Sequence, residues 1–236
     1  MIFLILFLLN AISAAVWRIL AHRGQLATYG SRRYGEKHYI LLAGFKNQPS
    51  NAFKTISFKN GRVITMSYSA FGFNPKTAGK QLDRLSRVED TVLAISLGAK
   101  SVAYSKKEFS TIAINPCSFP GSLKPEIRNW FKSRALPLEI LSFLLGWLSF
   151  LPVITADAGK YSLALLADQM FWISYGDPTE HKFSHIILGE RDWVLDNESI
   201  RNRYPGSHFL SLDTSHASLN DEKDTKAYNE AIQKLL

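Results

Sequence analysis

Short apolar runs alternate with amphipathic stretches along residues 38–236. The apolar runs are as long as strands and are apolar throughout; they cover residues 38–43, 62–68, 91–95, 111–114, 184–188 and 208–212. Helical patterns fall between or after these runs, at residues 51–58, 77–88, 99–109 and 221–236. Strands without polar alternation are typical of a parallel sheet that is covered on both faces. The pattern therefore predicts a doubly wound α/β domain with a mostly parallel sheet.

Residues 120–180 interrupt this alternation with a block that is hydrophobic almost all round. Residues 136–154 contain one charge, Glu139, and a second apolar helical stretch covers residues 163–173. The prolines at positions 137 and 152 leave only about fourteen residues between them, which favours a buried or interfacial element over a second membrane helix. Because the block lies between two strands, we expect a helical cap over the carboxyl edge of the sheet. Such a cap would line an apolar substrate pocket or dip into lipid.

The N-terminal segment is apolar from residue 1 to residue 17, with Asn10 and Ser13 as its polar side chains. As a helix it covers about 26 Å, slightly less than a bilayer core of about 30 Å. Residues 19–21 extend the apolar segment if Arg18 reaches the membrane interface. Three interpretations remain open: an uncleaved membrane anchor, a cleaved signal peptide, and a hydrophobic helix that packs on the domain.

The distribution of basic residues around residues 1–21 favours the anchor. No basic residue precedes the apolar run, whereas several follow it within the basic linker at residues 22–37. Positive charge tends to stay on the cytoplasmic side of a membrane. We therefore expect a membrane-associated protein with its body on the cytoplasmic side. Secretion after cleavage near Ser13–Ala15 is the alternative, because those small residues are typical of a cleavage site.

Composition and charge exclude several classes of protein. The chain is 46% hydrophobic, which is enough to bury a core. The net charge of +8 comes from residues 1–80, which hold eleven Lys and Arg and one acidic residue. No nucleic-acid-binding motif accompanies these charges, so nucleic acid is not expected as a partner. The single Cys117 excludes an intramolecular disulfide and a multi-cysteine zinc site, and His181 and His185 have no third ligand near them.

Ser96 occupies a position typical of a catalytic nucleophile. It lies in the sequence AISLGA (94–99), between the third predicted strand and a helix. This is the strand–turn–helix context of a nucleophile elbow, with Ala94 and Gly98 at the two glycine positions of G-x-S-x-G. A buried serine that only closes a tight turn is the structural alternative.

Asp192 and His216 complete a candidate catalytic triad. Asp192 lies in GERDWV (189–194) and His216 in TSHASL (214–219), directly after the last two predicted strands. The carboxyl ends of parallel strands meet at one edge of a sheet, which is where Ser96 also lies. The order Ser, Asp, His is one of the known triad orders. We therefore expect His216 to take the proton from Ser96 and Asp192 to orient His216, with Asp196 and Asp213 as alternative acids.

Together these segments resemble the α/β-hydrolase superfamily of esterase- and lipase-like serine hydrolases. The resemblance covers residues 38–236 and rests on LLAGF (41–45), AISLGA (94–99), INP (114–116), GERDWV and TSHASL. It implies a minimal core of about six strands, because the first two strands of the family are missing. It also implies an oxyanion hole formed by the backbone N–H groups of Phe45 and Leu97, and it implies no metal or organic cofactor. Ala43 and Gly44 stand where many members have His-Gly.

The expected activity is cleavage of a carboxylic ester or thioester with an apolar acyl group, through an acyl-enzyme on Ser96. The partner would be a small-molecule or lipid-like ester, while the oligomeric state stays open. Two alternatives use the same fold: a non-catalytic, membrane-tethered binding or scaffold protein, and an acyltransferase. The scaffold interpretation predicts that Ser96 and His216 lie well beyond hydrogen-bond reach of each other.

Overall fold

The computed structural model describes residues 1–21, 27–29, 37–45, 58, 61–67, 72–156, 159–178, 183–216 and 221–236. The short helix expected at residues 51–58 falls outside these residues, except for residue 58, and so does His181.

A seven-stranded sheet forms the centre of the described part of the chain. Six strands are parallel, as the sequence predicts: β2 (His38–Leu42), β3 (Arg62–Ser67), β4 (Thr91–Ile95), β5 (Ser110–Ile114), β8 (His185–Gly189) and β9 (His208–Leu212). The seventh, β1 (Ala27–Tyr29), pairs antiparallel with β3 within the segment expected to be a linker. The strand order is β1-β3-β2-β4-β5-β8-β9, so the chain winds in both directions from β2. The crevice at such a reversal is where ligands bind in open α/β sheets.

The described residues contain seven α-helices. They are α1 (Ile2–Ala21), α2 (Pro75–Leu85), α3 (Gly98–Ala103), α4 (Pro125–Leu145), α5 (Leu163–Tyr175), α6 (Asn197–Arg203) and α7 (Glu222–Leu235). Side chains cap the N-termini of four of them, at Asn74, Ser162, Asp196 and Asp221. The helix expected at residues 99–109 is shorter, because the chain leaves α3 at Tyr104 to reach β5.

Both faces of the sheet are buried, which explains why its strands show no polar alternation. Successive residues of β4 enter opposite cores: Val92 and Ala94 pack beneath α2 and α3, while Leu93 and Ile95 pack beneath α7. The second core contains Tyr228, Ala231 and Ile232 of α7. Side chains alternate across a strand, so a strand covered on both faces must be apolar at every position.

The inserted block between β5 and β8, called the cap from here on, consists mainly of α4, α5 and a short hairpin. A turn of 3₁₀ helix (Gly146–Phe150) follows α4 and leads into strands β6 (Pro152–Ala156) and β7 (Gly159–Ser162). Pro137, expected to mark the beginning of the apolar element, instead lies inside α4. A proline inside a helix costs about 3 kcal/mol in isolation. Here α4 packs against α1 and α5, and these tertiary contacts override the local preference.

Candidate active site

A sharp turn between β4 and α3 presents Ser96. Only Ser96 and Leu97 separate the end of the strand from the beginning of the helix, and Ser96 has a positive φ of 46°. Two neighbours hold its backbone: the Ser96 N–H donates to the Ile114 carbonyl at 2.9 Å, and the Ser96 carbonyl accepts from the Cys117 N–H at 3.0 Å. A non-glycine residue in this conformation is strained and persists only where its surroundings hold it. The turn therefore fixes the direction of the Ser96 side chain.

Gly98 makes this turn possible. A Cβ atom at this position would lie 2.7 Å from the Leu42 carbonyl oxygen and 2.8 Å from the Ala43 carbonyl oxygen. Backbone atoms cannot move aside as a flexible side chain can, so only glycine fits. The elbow is thereby packed directly against the end of β2.

The side chains of Ser96, His216 and Asp192 form a continuous hydrogen-bonded series. Ser96 Oγ lies 3.1 Å from His216 Nε2, and His216 Nδ1 lies 2.6 Å from Asp192 Oδ2. With the proton on Nδ1, the imidazole donates to the carboxylate and Nε2 accepts from the serine hydroxyl. The sequence predicted these three residues, and the structure places them together.

Asp192 is held rigidly by its own loop. Its side chain is fully buried, and its second oxygen, Oδ1, accepts hydrogen bonds from the backbone N–H groups of Val194 (2.8 Å) and Leu195 (3.0 Å). One carboxylate oxygen is thus fixed by the backbone while the other faces the imidazole. This arrangement can select the histidine tautomer and stabilise an imidazolium.

The two alternative acids have other partners. Asp196 caps α6, where it accepts from the Ser199 N–H at 3.1 Å and the Ser199 hydroxyl at 2.8 Å. Burial alone would raise the pKa of Asp196, but the hydrogen bonds from Ser199 and the Glu198 N–H, together with the charge of Lys124, outweigh it and lower the pKa. Asp213 pairs with Arg191 at 2.8 Å, and its side chain is 72% exposed. Their contacts give Asp196 a capping role and Asp213 a surface ion pair.

Asn115, to which sequence reasoning assigned no role, ties the two partner loops together. Its side-chain oxygen accepts from the Gly189 N–H at 2.7 Å, on the way to Asp192. Its amide donates to the Tyr228 hydroxyl at 2.7 Å and to the Ser215 carbonyl at 3.3 Å, next to His216. The sequence feature that could have identified Asn115 is its position. It is a polar residue directly after buried strand β5, just as Ser96 directly follows β4.

Asp224 of α7 holds the histidine loop from the other side. It accepts from the Ser215 N–H at 2.8 Å and from Arg191 Nη2 at 3.0 Å. Burial alone would raise the pKa of Asp224, but the hydrogen bonds from Ser215 and the charges of Arg191 and Lys223 outweigh it and lower the pKa. Asp224 is therefore a carboxylate at neutral pH and restrains the loop as an anion.

The residues expected to form the oxyanion hole lie beside Ser96. Leu97 follows it directly and is fully buried, whereas Phe45 lines the same cavity as Ser96. The two loops are in close contact, because a Cβ at Gly44 would lie 3.0 Å from the Ser96 Cβ. The segment after β2 thus runs alongside the nucleophile elbow.

An apolar cavity of about 500 Å³ opens above Ser96 and His216. Its walls come largely from the cap and from the Asp192 loop, namely Leu123, Ile127, Trp130, Phe131, Ile173, Trp193 and Val194. Phe45 and Phe131 pack edge to face across it, with ring centroids 5.7 Å apart. Cys117 also lines the cavity, but burial raises the pKa of its thiol, so it stays protonated at neutral pH. The cap therefore supplies the apolar surroundings of the serine.

No cluster of three potential metal ligands exists among the described residues. His185, one half of the spaced histidine pair, stacks on His208 with ring centroids 5.4 Å apart. The other half, His181, lies outside the described residues.

The sequence matches no protein-family model and no curated protein. Its structure is similar to a lipase-esterase related protein from Clostridium acetobutylicum, with a TM-score of 0.61 and 12% identity over 89% of this chain and 99% of that one. A carboxylesterase structure from Nitrososphaera gargenis has a TM-score of 0.56 and 14% identity over 89% and 93%. A carboxylesterase from Bacillus subtilis has a TM-score of 0.50 and 13% identity over 96% and 97%. The chain has the α/β-hydrolase fold.

Proposed function

We propose that this chain, whose fold is that of the α/β-hydrolases, is a serine hydrolase that cleaves carboxylic esters or thioesters with an apolar acyl group. The observation that carries the proposal is the hydrogen-bonded series from Ser96 through His216 to Asp192 at the base of an apolar cavity. The fold alone does not determine an activity, since the same scaffold hosts many functions. The esterases among the structural neighbours are consistent with this reaction class.

The geometry supports a two-step reaction through an acyl-enzyme. Ser96 Oγ attacks the acyl carbonyl while His216 Nε2 takes its proton, and the resulting imidazolium is stabilised by Asp192. The backbone N–H groups of Phe45 and Leu97 would hold the negative charge on the carbonyl oxygen. His216 then protonates the departing alcohol or thiol. Water, deprotonated by His216, attacks the acyl-enzyme, and the carboxylic acid leaves as Ser96 regains its proton.

The lining of the cavity favours substrates that have an apolar acyl group. Aromatic and aliphatic side chains form its walls, with Ser96 and His216 as the polar groups at its base. Each methylene moved from water into such surroundings contributes about 0.8 kcal/mol. Acyl chains that fill the cavity should therefore react faster than acetyl groups.

Membrane association is part of the proposal and rests on α1. Residues Ile2–Leu20 have a mean hydropathy of 2.1, and 11% of this segment is buried, so by length and composition α1 can cross a membrane. A signal sequence has the same properties. We favour an uncleaved anchor with the catalytic body on the cytoplasmic side, because several basic residues follow the segment.

The scaffold alternative predicts a wide separation between Ser96 and His216. The observed 3.1 Å between Ser96 Oγ and His216 Nε2 therefore favours the hydrolase. An acyltransferase would share every step up to the acyl-enzyme and differ only in the acceptor that attacks it.

Hydrolysis of a series of p-nitrophenyl esters tests this function. We expect kcat/KM to rise about threefold to fourfold per methylene from acetate towards octanoate. The Phe131→Ala variant, which widens the cavity, should shift the preference towards dodecanoate. Tyr175→Ala is the matched control, since Tyr175 is an exposed aromatic residue of α5 outside the cavity lining. Absence of hydrolysis by folded protein, or equal rates for all chain lengths, would contradict the proposal.

A further inference from the structure

The N-terminal helix and the tip of the cap share an exposed apolar surface. The large side chains of α1 are exposed along most of its length, from Ile2 to Leu20. The adjoining part of the cap, residues 136–151, exposes a second set: Leu136, Ile140, Leu141, Phe143, Leu144, Trp147, Leu148 and Leu151. Monomeric soluble proteins rarely expose a contiguous apolar surface of this kind. We call α1 together with residues 136–151 the apolar face.

Helix α1 packs on the cap through its small and polar residues. Ala11 and Ala14 are buried against the cap, and Asn10 exchanges hydrogen bonds with the Leu145 carbonyl and the Trp147 N–H, both at 3.4 Å. Gly146 permits this approach, because a Cβ there would lie 2.9 Å from the Asn10 carbonyl oxygen. A helix of a soluble protein buries its large apolar side chains. In α1 the small residues are buried and the large apolar side chains are exposed, as in helices that pack within lipid.

Arg18 joins α1 to both helices of the cap. Its guanidinium pairs with Glu139 of α4 at 3.0 Å and with Asp168 of α5. It also donates to the Ser142 hydroxyl and the Ala164 carbonyl, both at 3.2 Å. These side chains are largely buried, so removal of Arg18 would take a positive charge away from two largely buried acidic groups. Helix α1 is thus built into the cap rather than attached by a flexible tether.

The charges of α4 are segregated along its length. Its first half carries Arg128, Lys132 and Arg134 against one acid, Glu126, and directly precedes the apolar residues 136–151. Trp130 is exposed in this half, with the Arg134 guanidinium 4.5 Å from the centroid of its ring. Basic and aromatic residues next to an apolar segment are typical of the headgroup region of a membrane. The positive charge fits anionic headgroups.

We propose that α1 and residues 136–151 insert together into a bilayer that contains anionic lipids, with the first half of α4 at the headgroups. The occupant of the apolar face is therefore a lipid bilayer, and α1 and the cap enter it as one unit. Ile127, Trp130 and Phe131 belong to the same half of α4 and line the catalytic cavity. If the chain is the hydrolase proposed above, its cavity would thus open at the depth where ester bonds of lipids lie.

Quenching of a fluorescent probe by doxyl-labelled lipids tests the insertion. The full-length chain would be labelled with an NBD maleimide at Leu148→Cys on the apolar face, at Leu6→Cys in α1, or at Val88→Cys. Leu148 and Val88 are both exposed, at 61% and 76%, but Val88 lies outside the apolar face and serves as the matched control. The buried native Cys117 should not react, which labelling of the wild-type chain would verify. The vesicles would be phosphatidylcholine with or without phosphatidylglycerol.

We expect quenching at positions 6 and 148 and none at position 88. Removing phosphatidylglycerol, or introducing Lys132→Glu with Arg134→Glu, should reduce quenching at position 148 at least about twofold, whereas Lys80→Glu with Arg84→Glu on α2 should not. Arg18→Met should reduce quenching at position 148 while position 6 remains quenched.

Quenching at position 6 alone in the otherwise wild-type chain would overturn the proposal, because α1 would then be a solitary anchor with the body in water. Quenching at neither position would overturn it as well. Quenching at position 148 that is indifferent to anionic lipid would overturn the role of the basic half of α4. The readout does not involve catalysis, so a Ser96→Ala chain should behave identically. A failure here is therefore distinguishable from a failure of the proposed hydrolase.

Discussion

Ser96 and Asn115 adopt matching left-handed backbone conformations, with φ of 46° and 44°, at the carboxyl ends of the neighbouring strands β4 and β5. No other non-glycine residue in the described part of the chain has a positive φ. The two turns are joined, since the Ser96 N–H donates to the Ile114 carbonyl. One turn presents the candidate nucleophile, and the other binds the loops that carry Asp192 and His216. The strained positions are therefore concentrated at the site where the chemistry is proposed.

Removal of the Asn115 side chain should misplace the triad residues without removing any of them. Asn115→Ala loses the hydrogen bonds to Gly189, Ser215 and Tyr228, so Asp192 and His216 should become less precisely placed. We expect kcat to fall about 100-fold with little change in KM, because small displacements of reacting groups cost rates of this order. Steady-state kinetics on a p-nitrophenyl ester would measure this. Asn202→Ala, at an exposed position of α6, is the control. A folded Asn115→Ala enzyme with wild-type kcat would refute the positioning role.

Substitution of Gly98 should destabilise the chain, because Gly98 lies in the tight turn that carries Ser96. Gly98→Ala would force a methyl group against the carbonyls of Leu42 and Ala43, and we expect a loss of about 2 kcal/mol in the free energy of unfolding together with displacement of Ser96. Gly206→Ala is the matched control, because nothing lies within 4 Å of a Cβ at that position. Chemical denaturation in detergent measures both variants. Equal stability of the two would show that the close approach at Gly98 does not constrain the fold.

The identity of the catalytic acid can be tested with three isosteric variants. Asp192→Asn should lower kcat about 10⁴-fold, since an amide cannot hold the imidazole in the same tautomer. Asp213→Asn should have little effect, because Asp213 is exposed and pairs with Arg191. Asp196→Asn should also leave activity near wild type, because asparagine caps a helix about as well as aspartate does. A large loss of kcat for either control, with Asp192→Asn active, would assign the acid elsewhere.

The six parallel strands and the three triad candidates could be predicted because their signals are local. Each strand is a short apolar run, and Ser96, Asp192 and His216 each follow the end of one. Parallel strands place such positions at one edge of the sheet without any knowledge of side-chain contacts. The remaining features depend on pairings between distant parts of the chain. Strand β1 has three residues and no apolar run, so only its pairing with β3 identifies it.

The contacts around the triad and the packing of α1 could not be predicted from the sequence for the same reason. Asn115 and Tyr228 lie 113 residues apart, and Arg18 lies 121 residues from Glu139. No spacing rule relates such residues. The path of α4 through Pro137 was also beyond local reasoning, because packing against α1 and α5 outweighs the local cost of proline.

The pH dependence of the unfolding free energy should show that Asp224 is ionised in the folded chain. Its pKa is lowered from the ordinary value of 3.8 in the folded chain, so the unfolded chain binds more protons in that range. Asp224 therefore contributes stability above about pH 4 that is lost as the pH falls through the lowered pKa. We expect Asp224→Asn to lose about 2 kcal/mol of unfolding free energy at neutral pH, and the difference from wild type to shrink on acidification towards about pH 3. A difference that stays constant with pH would contradict an ionised Asp224.

Labelling with a fluorophosphonate probe tests whether His216 activates Ser96 as a nucleophile. The folded, detergent-solubilised chain should be labelled, and labelling should be lost in both Ser96→Ala and His216→Ala. Ser133→Ala, which removes an exposed serine of the cap, should label like wild type. Absence of labelling in wild-type protein shown to be folded, or labelling that survives in Ser96→Ala, would show that Ser96 is not an activated nucleophile.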